Sequence, residues 1–320
     1  MRTLDYSFWR VVAGTAGVLF LSAFLFTYVP GSAGSSCTRS LPQVSALATT
    51  EVKLLRDVTY ATADNLPLKL DVYRLDPPPA KPAPAVIFIH GGGWSGGDKS
   101  DHQAMLGVVA RAGYVVFSIN YRLSQQALFP AQIHDCKAAV RWVRANAQTY
   151  GADARRIGVF GTSAGGHLAA LLGTSGGVGE LEGSLGNELQ SSRVAAVCDW
   201  FGPADLRSSA RLTGDAAKIV TQLLGGQPAE NPHLAELASP VCFIDQSDPP
   251  FLIIHGRSDP LVPYAQSTEL RDVLEAAGVP VELITVPGGK HGNFAATKPS
   301  VEELTKRMIA FFDKQLKAPR

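Results

Sequence analysis

Three serines lie in the pattern Gly-x-Ser-x-Gly: Ser95 within 93–97, Ser163 within 161–165 and Ser175 within 173–177. In a chain with 31 glycines the pattern is weak, so context has to choose among the three. A serine that attacks an acyl carbon needs a tight strand-to-helix turn, where small neighbours permit strained backbone and expose Oγ above a sheet. Ser163 has both flanks, with IGVF (157–160) leading in and AGGHLAALL (164–172) leading out as a helix. Its Oγ would also stand at that helix's N-terminus, which favours developing negative charge. Ser175 follows the same helix with no strand before it and reads as a Gly-rich C-terminal turn. Ser95 follows a strand only at a distance. The competing reading of Ser163 is a merely tight turn.

A tetrahedral intermediate carries an oxyanion that backbone amides must meet at close range. The apolar run AVIFI (85–89) ends in His90-Gly91-Gly92-Gly93-Trp94, where three glycines let the chain turn its amides inward without Cβ obstruction. Gly92, Gly93 and Ala164, the residue after the serine, are the candidate donors. His90 is expected to fix the loop through a hydrogen bond. Trp94 is expected to border the acyl pocket, with packing beneath the loop as the alternative. An ordinary Gly-rich loop binding phosphate fits less well, because neither Gly-x-x-x-x-Gly-Lys-Ser/Thr nor Gly-x-Gly-x-x-Gly is present.

The acid and the base follow from strand ends, where catalytic groups of open α/β sheets collect. The run FLII (251–254) leads to Asp259, and VELITV (281–286) leads to His291. Asp245 and Asp248 precede their strand and would lie at its opposite end. Among the seven histidines, His167 is one turn beyond Ser163 and suits packing. His134 belongs to an amphipathic helix, His102 and His233 follow no strand, and His255 suits bracing the Asp259 loop.

The elements that must position these groups alternate. Short runs at 57–62 and 69–73 around Asp64-Asn65 suggest an opening hairpin. Apolar runs at 85–89, 114–119, 157–160, 194–198, 251–254 and 281–286 have the continuous character of strands buried on both faces. Helical stretches separate them, the clearest carrying Ile133, Cys136, Val140, Val143 and Ala147 on one face. Such alternation predicts an α/β fold with a mostly parallel central sheet and helices on both faces, as one catalytic domain over 51–320. The long connection at about 205–248 could form a small lid. With 29 Lys+Arg against 28 Asp+Glu and 46% apolar residues, the 320-residue chain excludes a basic nucleic-acid binder, a disordered tail and a disulfide-stapled toxin.

Residues 11–29 carry no charge, and Arg2 and Arg10 precede them. As a helix they would span about 28 Å, close to a bilayer core. The positive-inside bias then predicts export, with an apolar targeting helix over 1–33, as signal peptide or membrane anchor, and a linker over 34–50. Small residues at Gly31 and Ala33 suit cleavage after Ala33, while the length of the run suits a retained anchor. A lipoprotein at Cys37 fits less well because Gly34 stands where an aliphatic residue is wanted, and a buried core helix is the plainest alternative. Of the four cysteines, Cys136 lies on a core stripe, and a Cys198–Cys242 bridge is conceivable in an oxidising compartment.

With these residues in hand, the chain resembles an α/β-hydrolase of the esterase/lipase group from about residue 55 onward. The carrying motifs are HGGGW at 90–94, FPAQIHDCKAAVRWVRANA at 129–147, GTSAGGH at 161–167, DWFGPADL at 199–206, DPPFLIIHGRSDPLVP at 248–263 and GGKHG at 288–292. Together they resemble the bifunctional acetyl-xylan and feruloyl esterase deacylases, and more distantly the hormone-sensitive-lipase-like esterases. Thr162 stands where the latter have Asp, and too few residues precede the glycine loop for their helical cap. The resemblance implies a serine carboxylesterase with Ser163, Asp259 and His291 as triad, in the chain order of this fold. It implies a small-molecule ester substrate, with acylated sugars among the candidates, and no metal or organic cofactor. No nucleic-acid partner is expected, and a membrane only through the N-terminal segment. An arylformamidase or small peptidase on the same fold remains a rival, and an inactive binding module a distant one.

Overall fold

A computed structural model describes residues 51–208, 212, 214–294 and 296–318. The apolar run at 11–29, the linker and Cys37 lie outside the described residues. Among the described residues no helix is long and apolar enough to cross a membrane.

The chain opens with a hairpin, β1 (Glu51–Ala63) and β2 (Leu66–Asp76), turned at Asp64 and Asn65 in left-handed backbone. Both strands run longer than their alternating cores suggested, because β1 pairs with β2 along nearly its whole length. Then come β3 (Ala83–Ile89), α1 (Gln103–Arg111), β4 (Val115–Ile119), α2 (Ala131–Asn146), β5 (Ala152–Thr162) and α3 (Ala164–Thr174). The second half holds α4 (Gly179–Glu182), β6 (Ala196–Trp200), α5 (Gly214–Leu224), α6 (Pro232–Leu237), β7 (Phe251–Gly256), α7 (Ala265–Ala276), β8 (Val281–Val286) and α8 (Val301–Phe312).

The eight strands form one sheet in the order β1-β2-β4-β3-β5-β6-β7-β8. The pairs β1/β2 and β2/β4 are antiparallel, and every later pair is parallel. The central strands are unbroken apolar runs because both their faces are covered. On β3, Ala85, Ile87 and Ile89 enter one core with residues of α2, α3, α5, α6 and α7, while Val86 and Phe88 enter the other with α1 and α8. Every residue of α3 is buried. A helix apolar all round belongs inside a fold, and this one lies along β5 and β6, below the end of the sheet where the strands finish.

One expectation is corrected. Cys136, Cys198 and Cys242 are free thiols. Cys198 on β6 points into the core containing α1 and α8, whereas Cys242 sits in a turn whose Val241 and Phe243 pack on the opposite face. The sheet itself stands between them, so the Cys198–Cys242 bridge does not form. The connection at 205–248 holds α5 and α6, with Val220, Leu223, Leu224, Ala235 and Ala238 all in the core. The Ser239 hydroxyl accepts from the Leu206 amide at 2.9 Å, tying the two ends of this segment together.

Candidate active site

Strand β5 delivers Ser163 at its end, between Thr162 and the first residue of α3. Its backbone is at φ 55°, ψ −119°, a region that costs a non-glycine residue free energy and persists only under surrounding constraint. Three constraints are visible. The Ser163 amide donates to the Trp200 carbonyl at 2.8 Å, and the Ser163 carbonyl accepts from the His167 amide at 2.9 Å. Third, α3 lies so close to β3 that a Cβ on Gly165 would collide with the carbonyl oxygens of Ile89 and His90.

The loops after β7 and β8 bring the other two groups to the serine. His291 Nε2 lies 2.8 Å from Ser163 Oγ, and His291 Nδ1 lies 2.7 Å from Asp259 Oδ2. Asp259 Oδ1 accepts from the amides of Leu261 and Val262 at 2.8 and 3.0 Å. Burial would raise the Asp259 pKa. Hydrogen bonds from His255 and His291, the charge of His291 and the Leu261 amide outweigh it and hold the carboxyl well below the ordinary carboxylate range. It is therefore an anion at any working pH. His255 is fully buried, with Nε2 3.2 Å from Asp259 Oδ2 and 3.0 Å from the Val262 carbonyl, and Nδ1 2.6 Å from Ser267 Oγ. An Nε2–H tautomer satisfies all three contacts.

The glycine loop follows β3 directly. Gly92 has φ 108°, a conformation that only glycine adopts without strain. Among the described residues nothing accepts a hydrogen bond from the amides of Gly92, Gly93 or Ala164. His90 lies under the loop, with Nδ1 2.8 Å from the Gly91 carbonyl and its ring stacked on Tyr121 at 4.4 Å. Burial lowers its pKa, so a neutral Nδ1–H donates to that carbonyl.

Trp94 departs from the pocket position. Its indole is 3% exposed and donates through Nε1 to His167 Nδ1 at 3.2 Å, while its carbonyl accepts from the Ser124 amide and hydroxyl. His167 Nε2 in turn reaches the Ala238 carbonyl at 2.7 Å, and burial drops this imidazole to about pH 4. The indole thus occupies the position under the loop. The residue standing over the loop is Ile219 of α5, whose Cγ2 is 3.0 Å from the point where a Cβ on Gly93 would be. No local pattern marks Ile219, because its neighbour lies more than a hundred residues away.

Asp199, on β6, is a further group that the sequence pattern passes over. It is fully buried, with Oδ1 accepting from the Gly202 amide at 2.8 Å and Oδ2 lacking a partner among the described residues. Burial pushes its pKa up to about 6, against the smaller opposing effects of the Gly202 amide and His255. Since the folded state penalises the charged form, the cost is absent below the unfolded value near 4 and complete above about pH 6. Asp199→Asn keeps the acceptor and removes the charge, so it should stabilise the fold by about 2–3 kcal/mol at pH 8 and by nothing at pH 4. Urea midpoints at the two pH values check this, and equal shifts at both would refute the assignment.

Among the described residues no three His, Cys, Asp or Glu side chains are grouped to hold a metal ion. The arrangement has the parts that acyl transfer needs: a hydroxyl within hydrogen-bond reach of an imidazole, a buried carboxylate behind that ring and three amides with no acceptor among the described residues.

The BD-FAE family model matches residues 70–274. The chain is 35% identical over 229 residues to Esterase LipC of Mycobacterium tuberculosis, covering 70% of this chain and 56% of that protein. It therefore spans little more than half the length of this relative. Among solved structures, a truncated carbohydrate esterase from gut microbiota superposes with TM-score 0.74 at 36% identity, covering 83% of this chain and 97% of the other. An acetyl ester-xyloside bifunctional hydrolase from Caldicellulosiruptor lactoaceticus superposes with TM-score 0.70 at 28% identity, covering 81% and 95%.

Proposed function

The chain belongs to the BD-FAE family, and from that premise we propose that it is a serine carboxylesterase acting on short-chain or aromatic acyl esters. The observation that carries this reading is the continuous line Ser163 Oγ, His291, Asp259, with spacings of 2.8 and 2.7 Å. His291 holds its proton on Nδ1, donated to Asp259, which leaves the Nε2 lone pair to accept from the Ser163 hydroxyl. As Oγ bonds to the ester carbonyl carbon, that proton passes to Nε2 and Asp259 steadies the imidazolium. The amides of Gly92, Gly93 and Ala164 meet the oxyanion. Collapse of the intermediate expels the alcohol, which takes the proton from Nε2 and leaves an acyl-serine. Water then repeats the sequence and releases the acid.

Acylated sugars are the substrate class we favour, because both superposed structures above carry carbohydrate-ester names. The test is a panel of nitrophenyl acetate to octanoate, feruloyl esters, acetylated xylose and N-formyl anilides. Turnover of esters without anilides supports the esterase. Anilide turnover above ester turnover would replace it with an amidase, and turnover of neither by folded protein would leave a binding module.

Acyl length follows from α5. Ile219 over Gly93 narrows the room beside the oxyanion amides, so acetyl to butyryl esters should outrun chains of eight or more carbons. Ile219→Ala should relax the kcat/KM ratio of acetate over octanoate by about 10–200-fold, the worth of about 1–3 kcal/mol of pocket contact. An unchanged ratio would remove Ile219 from the pocket.

A further inference from the structure

We infer that Phe201 is a positioning residue that holds the His291 imidazole in line between Asp259 and Ser163; the inference rests on the proposed triad. Phe201 follows β6 and has φ 48°, a left-handed conformation that costs an aromatic residue free energy. A strained bulky residue beside an active site asks what the strain achieves.

Here it aims the ring. The Phe201 centroid lies 4.9 Å from that of His291, with the planes at 69°. On its other side Phe201 meets Phe294 at 5.7 Å and 68°. Aromatic pairs favour such steep, edge-on arrangements at these separations. Among the described residues the imidazole thus meets Asp259 at Nδ1, Ser163 at Nε2 and the Phe201 ring beside it. Hydrogen bonds at its two nitrogens leave rotation about the axis joining them, and the ring opposes that rotation.

The turn carrying Phe201 is itself pinned. The Phe201 amide donates to the Ile254 carbonyl at 2.9 Å, and the next amide, Gly202, donates to buried Asp199. One residue earlier, the Trp200 carbonyl accepts from the Ser163 amide at 2.8 Å. This turn thus touches the nucleophile through backbone and the base through a side chain, and sets them in register with each other. Phe201 is 6% exposed, which leaves it little surface to offer a substrate.

The experiment compares wild type, Phe201→Leu, Phe201→Met and Phe201→Tyr in two assays. One is kcat and KM on nitrophenyl acetate, and the other is the rate at which a fluorophosphonate probe labels Ser163. In the labelling, Oγ bonds to phosphorus, fluoride leaves and His291 takes the hydroxyl proton, so it reads nucleophile activation whatever the natural substrate. Phe201→Leu should lower kcat and the labelling rate together by about 10–100-fold, the scale of misplacing a catalytic group, with KM within about twofold. Phe201→Tyr, which keeps the ring, should return both to within about threefold of wild type. Phe201→Met serves in place of Phe201→Leu if the latter fails to fold.

Unchanged kcat and labelling in a folded Leu or Met variant would overturn the inference. So would a change in KM or in the acetate-to-octanoate ratio with labelling intact, which would make the ring a pocket wall. Equal loss in the Tyr variant would also overturn it. A wild type that labels at Ser163 yet cleaves no ester would instead defeat the esterase reading and leave this one standing.

Discussion

Turnover of a short-chain ester should fall by up to about 10⁶-fold in Ser163→Ala, by about as much in His291→Ala, and by little more in the double variant. The reason for non-additivity is geometric. His291 Nε2, 2.8 Å from Oγ, has work to do only if the hydroxyl is present, and the hydroxyl is a poor nucleophile without that base. What remains in any of the three should be the contribution of the amides and of binding. Ser175→Ala is the control. Its hydroxyl is fully buried and donates to the Leu171 carbonyl at the end of α3, so its loss should leave turnover within about twofold of wild type. Measured kcat on nitrophenyl acetate decides the matter. Loss of activity in Ser175→Ala with retention in Ser163→Ala would make Ser175 the nucleophile instead.

Asp259→Asn should cost about 10⁴-fold at neutral pH while leaving the protein folded. The side chain is fully buried and receives donors at both oxygens: the Leu261 and Val262 amides at Oδ1, His291 and His255 at Oδ2. An asparagine can present its oxygen to only one pair. Facing its NH₂ toward the two amides would set donor against donor, so the oxygen stays there and the NH₂ turns toward His291. That forces the His291 Nδ1 to become an acceptor and moves its proton to Nε2, where it points at Ser163 and cannot serve as a base. The readout is kcat at pH 7, together with circular dichroism to confirm the fold. A loss below about tenfold would show that the carboxylate only fills space.

Much of the proposed site is legible in the sequence alone. Ser163 stood out because a strained turn needs small neighbours between an apolar strand and a helix, and GTSAGG between IGVF and LAALL supplies them. Asp259 and His291 stood out because both follow runs that end where a parallel sheet puts its loops. The strands themselves were readable as short apolar runs, since residues buried on both faces must all be apolar. Their ends were less so: β5 begins at Ala152 and β6 at Ala196, rather than at 157 and 194. Pairing with β3 and β5 sets those limits, and pairing is a property of the neighbouring strand.

Trp94 and Cys198 show where such reasoning stops. An aromatic next to the glycines of the proposed oxyanion loop suggests a pocket wall, but Trp94 has φ 53° and carries its indole under the loop to His167. A conceivable cysteine pair fails because alternation along β6 sends Cys198 to one side of the sheet while Cys242 sits on the other.

By itself, then, the order of residues singled out the groups of the proposed chemistry: the hydroxyl of Ser163, the carboxylate of Asp259, the imidazole of His291 and the glycines that follow β3. These depend on local backbone, on spacing to a strand end and on residue type, all of which are written in short stretches. Tertiary structure decided what stands around them. Phe201 reaches His291, ninety positions on, because β6 lies beside β7, whose other neighbour is β8, so the loops of all three strands converge. Ile219 covers Gly93 because α5 folds back over the loop after β3. Asp199 is held off its usual pKa because helix, turn and strand together exclude water from it. Contacts of that range depend on the packing of the whole sheet, and no window along the chain contains both partners.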